Sequence, residues 1–303
     1  MSPSLPPTVQ VFERGWLSSN NILLSGRDDT TLIDSGYVSH APHTLALVRR
    51  ALRGRPLDRL MNTHLHSDHC GGNALLQAHY ACRTLIPLAE ADAVRRWDGD
   101  ALSFTATGQQ CPRFGFDATL APGQWLTLGE LDWQVLGAPG HDPHAVMFYC
   151  PRARLLISAD ALWQNGFGVI FPELDGRSGF AEARATLELI AGLDVALVIP
   201  GHGAPFGDVA AALTRAHSRL DFLCAAPRRN AENAIKVLLK FLLLERRRIA
   251  LADIAPLLAA MPLCEAANRR FVGDSPEALA RWAIERLVRA GAARIEGQHL
   301  LNA

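Results

Sequence analysis

The stretch "NTHLHSDHCGG", residues 62–72, decides how this chain reads, because His64, His66, Asp68 and His69 fall within six consecutive positions. An apolar run, "LDRLM", leads in, and two glycines lead out. Ionisable groups at that density are costly to bury uncompensated, and a metal ion supplies the compensation. The apolar run predicts a strand that continues through His66. Its period of two then turns His64 and His66 to one side, where they grip one ion together. Asp68 and His69 come where the chain turns into a helix, placed to face a second ion. Gly71 and Gly72 allow a tight backbone turn behind them.

Outward from the cluster, the first two hundred or so residues alternate short apolar strands with amphipathic helices. "NNILLSGRDDTTLIDSG" reads as a β-hairpin turning at "GRDD", and "APHTLALVRRALRGR" as a helix with Leu45, Val48 and Leu52 on one face. "GGNALLQAHYA" begins the next helix. "WQVLGAPGH", "AVMFYC" and "RLLISAD" read as successive strands, "GFAEARATLELIAGL" as a helix and "VALVIPGHG" as another strand. This order predicts an α/β layered domain with its functional groups on loops at strand ends. His141, Asp160 and His202 each follow one of these strands, as expected when a fold brings distant strand ends to one rim. His79 and His144 have no such place and read as ordinary surface or core histidines, and Cys70 reads as a buried thiol at a helix start.

In this order and at these intervals the chain resembles the metallo-β-lactamase-fold hydrolase superfamily. The five motifs of that family are matched by Asp34, by His64-Leu-His66-Ser-Asp68-His69, by His141, by Asp160 and by His202, over roughly residues 8 to 208. The resemblance implies an α/β fold of the four-layer αββα sandwich type, with a catalytic domain over residues 1–210. It also implies that His64, His66 and His141 hold one metal and that Asp68, His69 and His202 hold a second. Asp160 would bridge both, and Asp34 would hold the metal-binding loop from behind. Two divalent ions are thereby expected, zinc first, with iron or manganese as alternatives. The implied chemistry is attack by a metal-held hydroxide on an acyl or phosphoryl centre. Asp68 would orient it or accept a proton, which makes Asp68 the candidate catalytic residue.

"THLHSDHCGGN" and "PGH" look most similar to the glyoxalase II-like branch, which cleaves thioesters. Where relatives that open lactones carry a tyrosine after the bridging aspartate, this chain has Trp163, whose indole has no useful acidity. A thiolate leaves without much protonation, so a thioester or related ester suits a site lacking a general acid. Asp160 argues against antibiotic hydrolysis, since the classical β-lactamases of this fold lack it. The chain departs from the branch at Ala159, where glycine is usual, and at "GHDPHA", where "GHTPG" is usual; no basic glutathione-binding cluster is legible. "QNGFGVIFPELDG", residues 164–176, reads as a pocket wall. With Trp163 it offers Phe167, Ile170 and Phe171 to a partly apolar, small-molecule acyl substrate.

From about residue 210 the pattern becomes helical, and residues 211–303 are expected to form a winged-helix-like C-terminal domain. Helices are expected over 210–224, 230–244, 251–260 and 276–290, the last opened by Ser275 and Pro276, with a final hairpin turning at Gly297. "HSRLDFL" and "ERLVRAGAARIEG" are similar to the end of a superfamily branch that includes an endoribonuclease. That sets the rival reading, a metal-dependent endoribonuclease or phosphodiesterase with Arg228, Arg229, Lys236, Lys240 and residues 246–248 as a backbone-binding stripe. A lactonase and a mononuclear iron persulfide dioxygenase complete the alternatives. The tail is expected to close over the metal site or to mediate a homodimer.

Composition sets the remaining bounds. The 30 basic and 30 acidic residues balance, so no global field calls for nucleic acid or an anionic membrane. The longest greasy run, "AIKVLLKFLLL", is broken by two lysines and predicts no membrane span. The six cysteines show no CxxC pair, and "MSPSLPPTVQ" lacks the pattern of a secretory signal, so a cytoplasmic location is expected.

Overall fold

Alternate residues of the same strands enter different cores, and this alternation builds the layers. The computed structural model describes residues 4–303. One sheet runs in chain order through β1 (Val9–Phe12), β2 (Asn21–Ser25), β3 (Thr30–Ile33), β4 (Arg59–Met61), β5 (Arg83–Pro87) and β6 (Ala118–Leu120). A second comprises β7 (Trp125–Leu128), β8 (Leu131–Gly137), β9 (Val146–Cys150), β10 (Leu155–Ala159) and β11 (Leu197–Pro200). Ile22, Leu24, Ile33 and Met61 of the first sheet share a core with Trp133, Val135, Phe148, Ile157 and Ile199 of the second.

The intervening residues point the other way. Leu23, Leu32 and Leu60 pack beneath α1 (Ala41–Leu52) and, beyond the short α2 (Ser67–Cys70), beneath α3 (Asn73–His79), through Val48, Leu52 and Leu76. Two further short helices, α4 (Ala91–Arg96) and α5 (Phe104–Thr107), cover Ile86. On the far side, Met147, Leu156 and Val198 pack against Leu187 and Ile190 of α6 (Phe180–Ala191) and Ala212, Ala216 and Leu220 of α7 (Val209–Cys224). Helices, sheet, sheet, helices: this is the αββα sandwich the resemblance implied.

Two parallel strand pairs set up the rim. β3 runs parallel to β4, and β10 parallel to β11, so Asp34 leaves its sheet beside residues 62–66 and Asp160 leaves beside the loop of His202. One expectation fails here. β4 ends at Met61, and residues 62–66 are a loop rather than the continuing strand that was to align His64 and His66. The backbone N–H of Thr63 donates to Asp34 Oδ1 at 2.9 Å, which withdraws it from the strand ladder.

The tail follows as α8 (Arg228–Arg246), β12 (Arg248–Ala250), α9 (Leu251–Ala259), α10 (Pro262–Ala267), α11 (Pro276–Arg289) and the hairpin β13 (Ala293–Glu296) and β14 (His299–Asn302). Ser275 Oγ accepts the Ala278 N–H at 3.2 Å, so the cap that the sequence announces does start α11. β12, which the sequence did not announce, adds a third strand beside β14. The core of the tail joins Ala231, Ile235, Leu238 and Leu242 of α8 to Leu258, Leu279, Ala283 and Leu300, and it takes in Val169 and Leu174 from ahead of α6. Because α7 packs within the sandwich and α8 begins this second core, we propose a division between α7 and α8 instead of at residue 210. Among the described residues no helix is long and apolar enough to cross a membrane.

The inter-sheet core makes a direct stability prediction. Phe148 has no exposed surface, so Phe148→Ala is expected to lower the unfolding free energy by about 3–5 kcal/mol in denaturant titration. A loss well below that range would contradict the packing described.

Candidate metal centre

Three imidazole nitrogens converge at the rim between the sheets. His64 Nε2 lies 3.0 Å from His66 Nδ1, which lies 2.8 Å from His141 Nε2. The far nitrogen of His141 donates to the Val169 carbonyl at 2.6 Å, leaving Nε2 with its lone pair toward the others. Burial pushes His66 and His141 down to about 4 and His64 well below its ordinary value, so all three are neutral near pH 7. Neutral imidazoles that present lone pairs to one point repel one another, and a cation at that point reverses the sign. The loop of residues 62–66 thus turns His64 and His66 to one point without strand periodicity.

A second trio stands beside the first. Asp68, His69 and His202 bring one ligand atom each within 4.8 Å of the others, and His202 Nε2 lies 3.1 Å from Asp68 Oδ2. His69 Nε2 is buried with no hydrogen-bond partner, an orphan that a bound ion would satisfy. Asp160 lies between the trios. Its Oδ2 is 3.4 Å from His141 Nε2, while its Oδ1 is 3.5 Å from His69 Nε2 and 3.9 Å from His202 Nε2. Against the effect of burial, His202 and His69 hold the Asp160 carboxyl well below the usual range. The donor set fits divalent metal ions.

The surroundings hold these groups in place. Asp34 accepts from Thr63 N–H at 2.9 Å, from Thr63 Oγ1–H at 2.8 Å and from His69 Nδ1 at 2.7 Å, which aims His69 Nε2 at the cluster. Ser19 N–H donates to the Asp68 carbonyl at 2.9 Å, and Asn20 N–H to the Gly201 carbonyl at 2.7 Å, so one N-terminal loop fastens both ligand segments. Gly71 and Gly72 have ordinary helical φ values of −61° and −86°. Their need for glycine is close approach instead of a turn conformation, since a Cβ on Gly72 would lie 2.5 Å from the Ser35 carbonyl oxygen.

A model of the metallo-beta-lactamase superfamily matches residues 14–202. The chain belongs to the metallo-beta-lactamase superfamily. Hydroxyacylglutathione hydrolase from Brucella anthropi is 30% identical over 168 residues, 55% of this chain and 56% of that protein. Its counterpart from Rhizobium etli is 26% identical over 132 residues, 43% of this chain and 44% of that protein. The chain therefore spans about half the length of the curated relatives it matches. Among solved structures, a metallo-beta-lactamase family protein from Thermus thermophilus covers 99% of this chain and all of its own at 20% identity and a TM-score of 0.56. TTHA1623 in a di-iron-bound form is 26% identical with a TM-score of 0.56, covering 69% of this chain and 98% of its own.

In this superfamily member a cavity of about 140 Å³ opens onto the cluster, lined by His66, Asp68, His141, Asp160 and His202 on one side. Trp163, Phe167 and Phe171 line it, and Trp163 Nε1 donates to Asp160 Oδ1 at 3.2 Å. Ile170 does not. It is buried in the core under α6 and α7, because the backbone there alternates and aims Val169 and Phe171 the other way. The sequence reading missed Trp16, which stacks on His202 at 5.3 Å, and Arg219, Asn233, Val237, Leu238 and Phe241 from α7 and α8. No local signal marks them, since only the packing of α7 and α8 brings them to the rim. His79 and His144 are exposed and outside the cluster. Cys70 is buried, with its Sγ 3.7 Å from that of Cys111.

Two measurements check this site. Asp34→Asn is expected to weaken divalent-metal affinity about 10–100-fold in chelator competition, because His69 loses its anchor; unchanged affinity would remove that role. Glu90 is pushed up to about 8, by burial and then by Asp142. It keeps its proton in the folded chain and loses it near 4.5 when unfolded, so stability declines as pH rises from about 4.5 to 8. Glu90→Gln is expected to flatten that decline in melting temperature for the metal-free protein, with the variant the more stable of the two at pH 9.

Proposed function

We propose that this chain is a binuclear metal-dependent hydrolase that cleaves a thioester or related ester of a small acyl substrate. The observation that carries this reading is the division of Asp160, whose Oδ2 faces His141 and whose Oδ1 faces His69 and His202. In this reading His64, His66 and His141 would hold one ion and Asp68, His69 and His202 the other, with Asp160 placed to serve both. Two bound divalent ions supply an activated water and a Lewis acid for the acyl oxygen. Zinc suits the nitrogen and carboxylate donors, and the di-iron form of TTHA1623 supports iron as the alternative.

The protein's own groups do the rest. Asp68 stays ionised despite burial because His69 and His202 face it, so it orients the attacking water and accepts its proton. Trp163 fixes Asp160 through the indole N–H and offers no acid to a leaving group. A leaving group that departs unprotonated, such as a thiolate, is therefore favoured. Phe167, Val169 and Phe171 give the acyl group an apolar, water-poor seat. The name of the curated relatives, hydroxyacylglutathione hydrolase, supports the thioester class. The six free cysteines fit work in a reducing cytoplasm.

The ribonuclease reading draws less support, because three of the basic groups in the stripe are engaged within the chain. Arg228 pairs with Glu232 at 2.9 Å, Arg229 lies over the Phe222 ring, and Lys240 Nζ donates to the Ala292 carbonyl and Asn302 Oδ1. Residues 246–248 run from the end of α8 into β12 and share no helix face.

Elemental analysis is expected to find about two ions per chain in the active enzyme. Asp160→Asn is expected to reduce that content and to lower kcat at least about 100-fold on a thioester. The reading fails if no ester, thioester, lactone or phosphodiester turns over in metal-loaded protein. One iron per chain with oxygen consumed on a persulfide would replace it.

A further inference from the structure

The cavity over the metal cluster does not end at its apolar wall. A second cavity of about 370 Å³ shares Trp16, Asn233, Val237 and Phe241 with it and continues between α8 and α11, past Lys236 and Arg286. Polar groups along this path lack protein partners. Arg219, on the first cavity, is partly buried over the Phe167 ring at 5.3 Å, and among the described residues no carboxylate lies within ion-pair distance of it. Asn233 Nδ2 is buried without a hydrogen-bond acceptor at the junction of the two cavities. Lys236, one turn further along α8, makes no ion pair among the described residues, and the nearest acid acting on it, Glu232, is paired with Arg228. Arg286 contributes a third unpaired cation across the cavity, near the Trp282 ring.

Lys240 lines the same second cavity, yet its ammonium is held by the Ala292 carbonyl at 2.5 Å and by Asn302 Oδ1 at 2.6 Å. Burial and then the positive field of Arg286 lower the pKa of Lys236, with Glu232 opposing and Arg219 adding a smaller effect. Like charges gathered at a cavity junction, with an unpartnered amide donor between them, are compensated by an anion from outside the chain.

We propose that Arg219, Asn233, Lys236 and Arg286 form an oxyanion-reading subsite, so that the substrate carries a carboxylate or phosphate on the portion lying beyond Trp16. This deepens the hydrolase reading above and rests on it. The reacting bond lies at the metal cluster in the smaller, apolar cavity. The rest of the molecule runs over Trp16 and Phe241 into the larger one, where Asn233 donates to a carbonyl or oxyanion and the cations neutralise the charge. Arg219 is the first cation met on leaving the cluster, and Lys236 and Arg286 are the last.

The test uses the full-length, metal-loaded chain and matched thioesters whose thiol arm or acyl arm ends in a carboxylate, a phosphate or an uncharged amide. A kcat/KM at least about tenfold higher for a charged ending, expressed mainly in KM, is expected. The carboxylate and phosphate arms identify which oxyanion is read. In Lys236→Met and Arg286→Met, both partly exposed, the ratio of charged to uncharged kcat/KM is expected to fall severalfold each, and in the double variant toward one. Equal kcat/KM for charged and uncharged substrates in the parent chain, or a ratio untouched in the double variant, would overturn the proposal. Calorimetric binding of the matching non-hydrolysable thioethers separates this from the hydrolase reading. If nothing turns over but charged thioethers still bind more tightly than uncharged ones, and less so in the double variant, the subsite stands and the hydrolase reading falls. If nothing turns over and charge makes no difference to binding, both fall.

Discussion

The carboxylate of Asp34 fixes the geometry on which the rest of the rim depends. It lies just past the end of β3 in the left-handed region, with φ of 59°, a conformation that costs a non-glycine residue roughly 1–2 kcal/mol. Three hydrogen bonds offset that cost: two from Thr63 and one from His69. They divert the chain from β4 into the ligand loop and set the outward nitrogen of His69. Sheet pairing alone would have carried residues 62–66 along the ladder as a continuing strand.

Electrostatics at the rim sets the charge of each buried group, and against burial Asp34, Asp160 and Asp68 raise His69 well above its ordinary value. Burial keeps His64, His66 and His141 neutral, while mutual attraction with the imidazoles keeps Asp68 and Asp160 ionised despite burial. Lone pairs and negative charge therefore face one small volume at the floor of the cavity, a donor set that suits a divalent ion. The backbone strains to build it. Ala159 has φ of 47° at the irregularity where β10 meets β11, just before Asp160, a conformation that favours glycine.

The sandwich and the tail meet across this rim and are tied together. Tyr37 donates to Glu245 Oε1 at 2.9 Å and packs edge-on against Phe241, and Asn230 Nδ2 donates to the Ile170 carbonyl at 2.8 Å. The segment after Asp160 sends Phe167 and Ile170 into the sandwich core and Val169 and Leu174 into the tail's core. The His and Asp cluster and the cavity wall beside it are consequently held by one continuous packing arrangement.

The sequence by itself determined the layered fold and the residues of the cluster. Binary patterning is local, and the dense His64-to-His69 cluster after one apolar run and His141, Asp160 and His202 after later ones are legible in it, while the resemblance joins them into one set. It also announced α11 through Ser275 and Pro276 and the final hairpin through Gly297, since caps and turns are written in neighbouring residues. It misplaced the conformation of residues 62–66 and the facing of Ile170, because a carboxylate 29 positions away and a split between two cores decide them. The cavity wall of Trp16, Arg219, Asn233 and Phe241 was decided only by the tertiary structure. Those residues carry no common motif, and only the docking of α7 and α8 against the rim makes them neighbours.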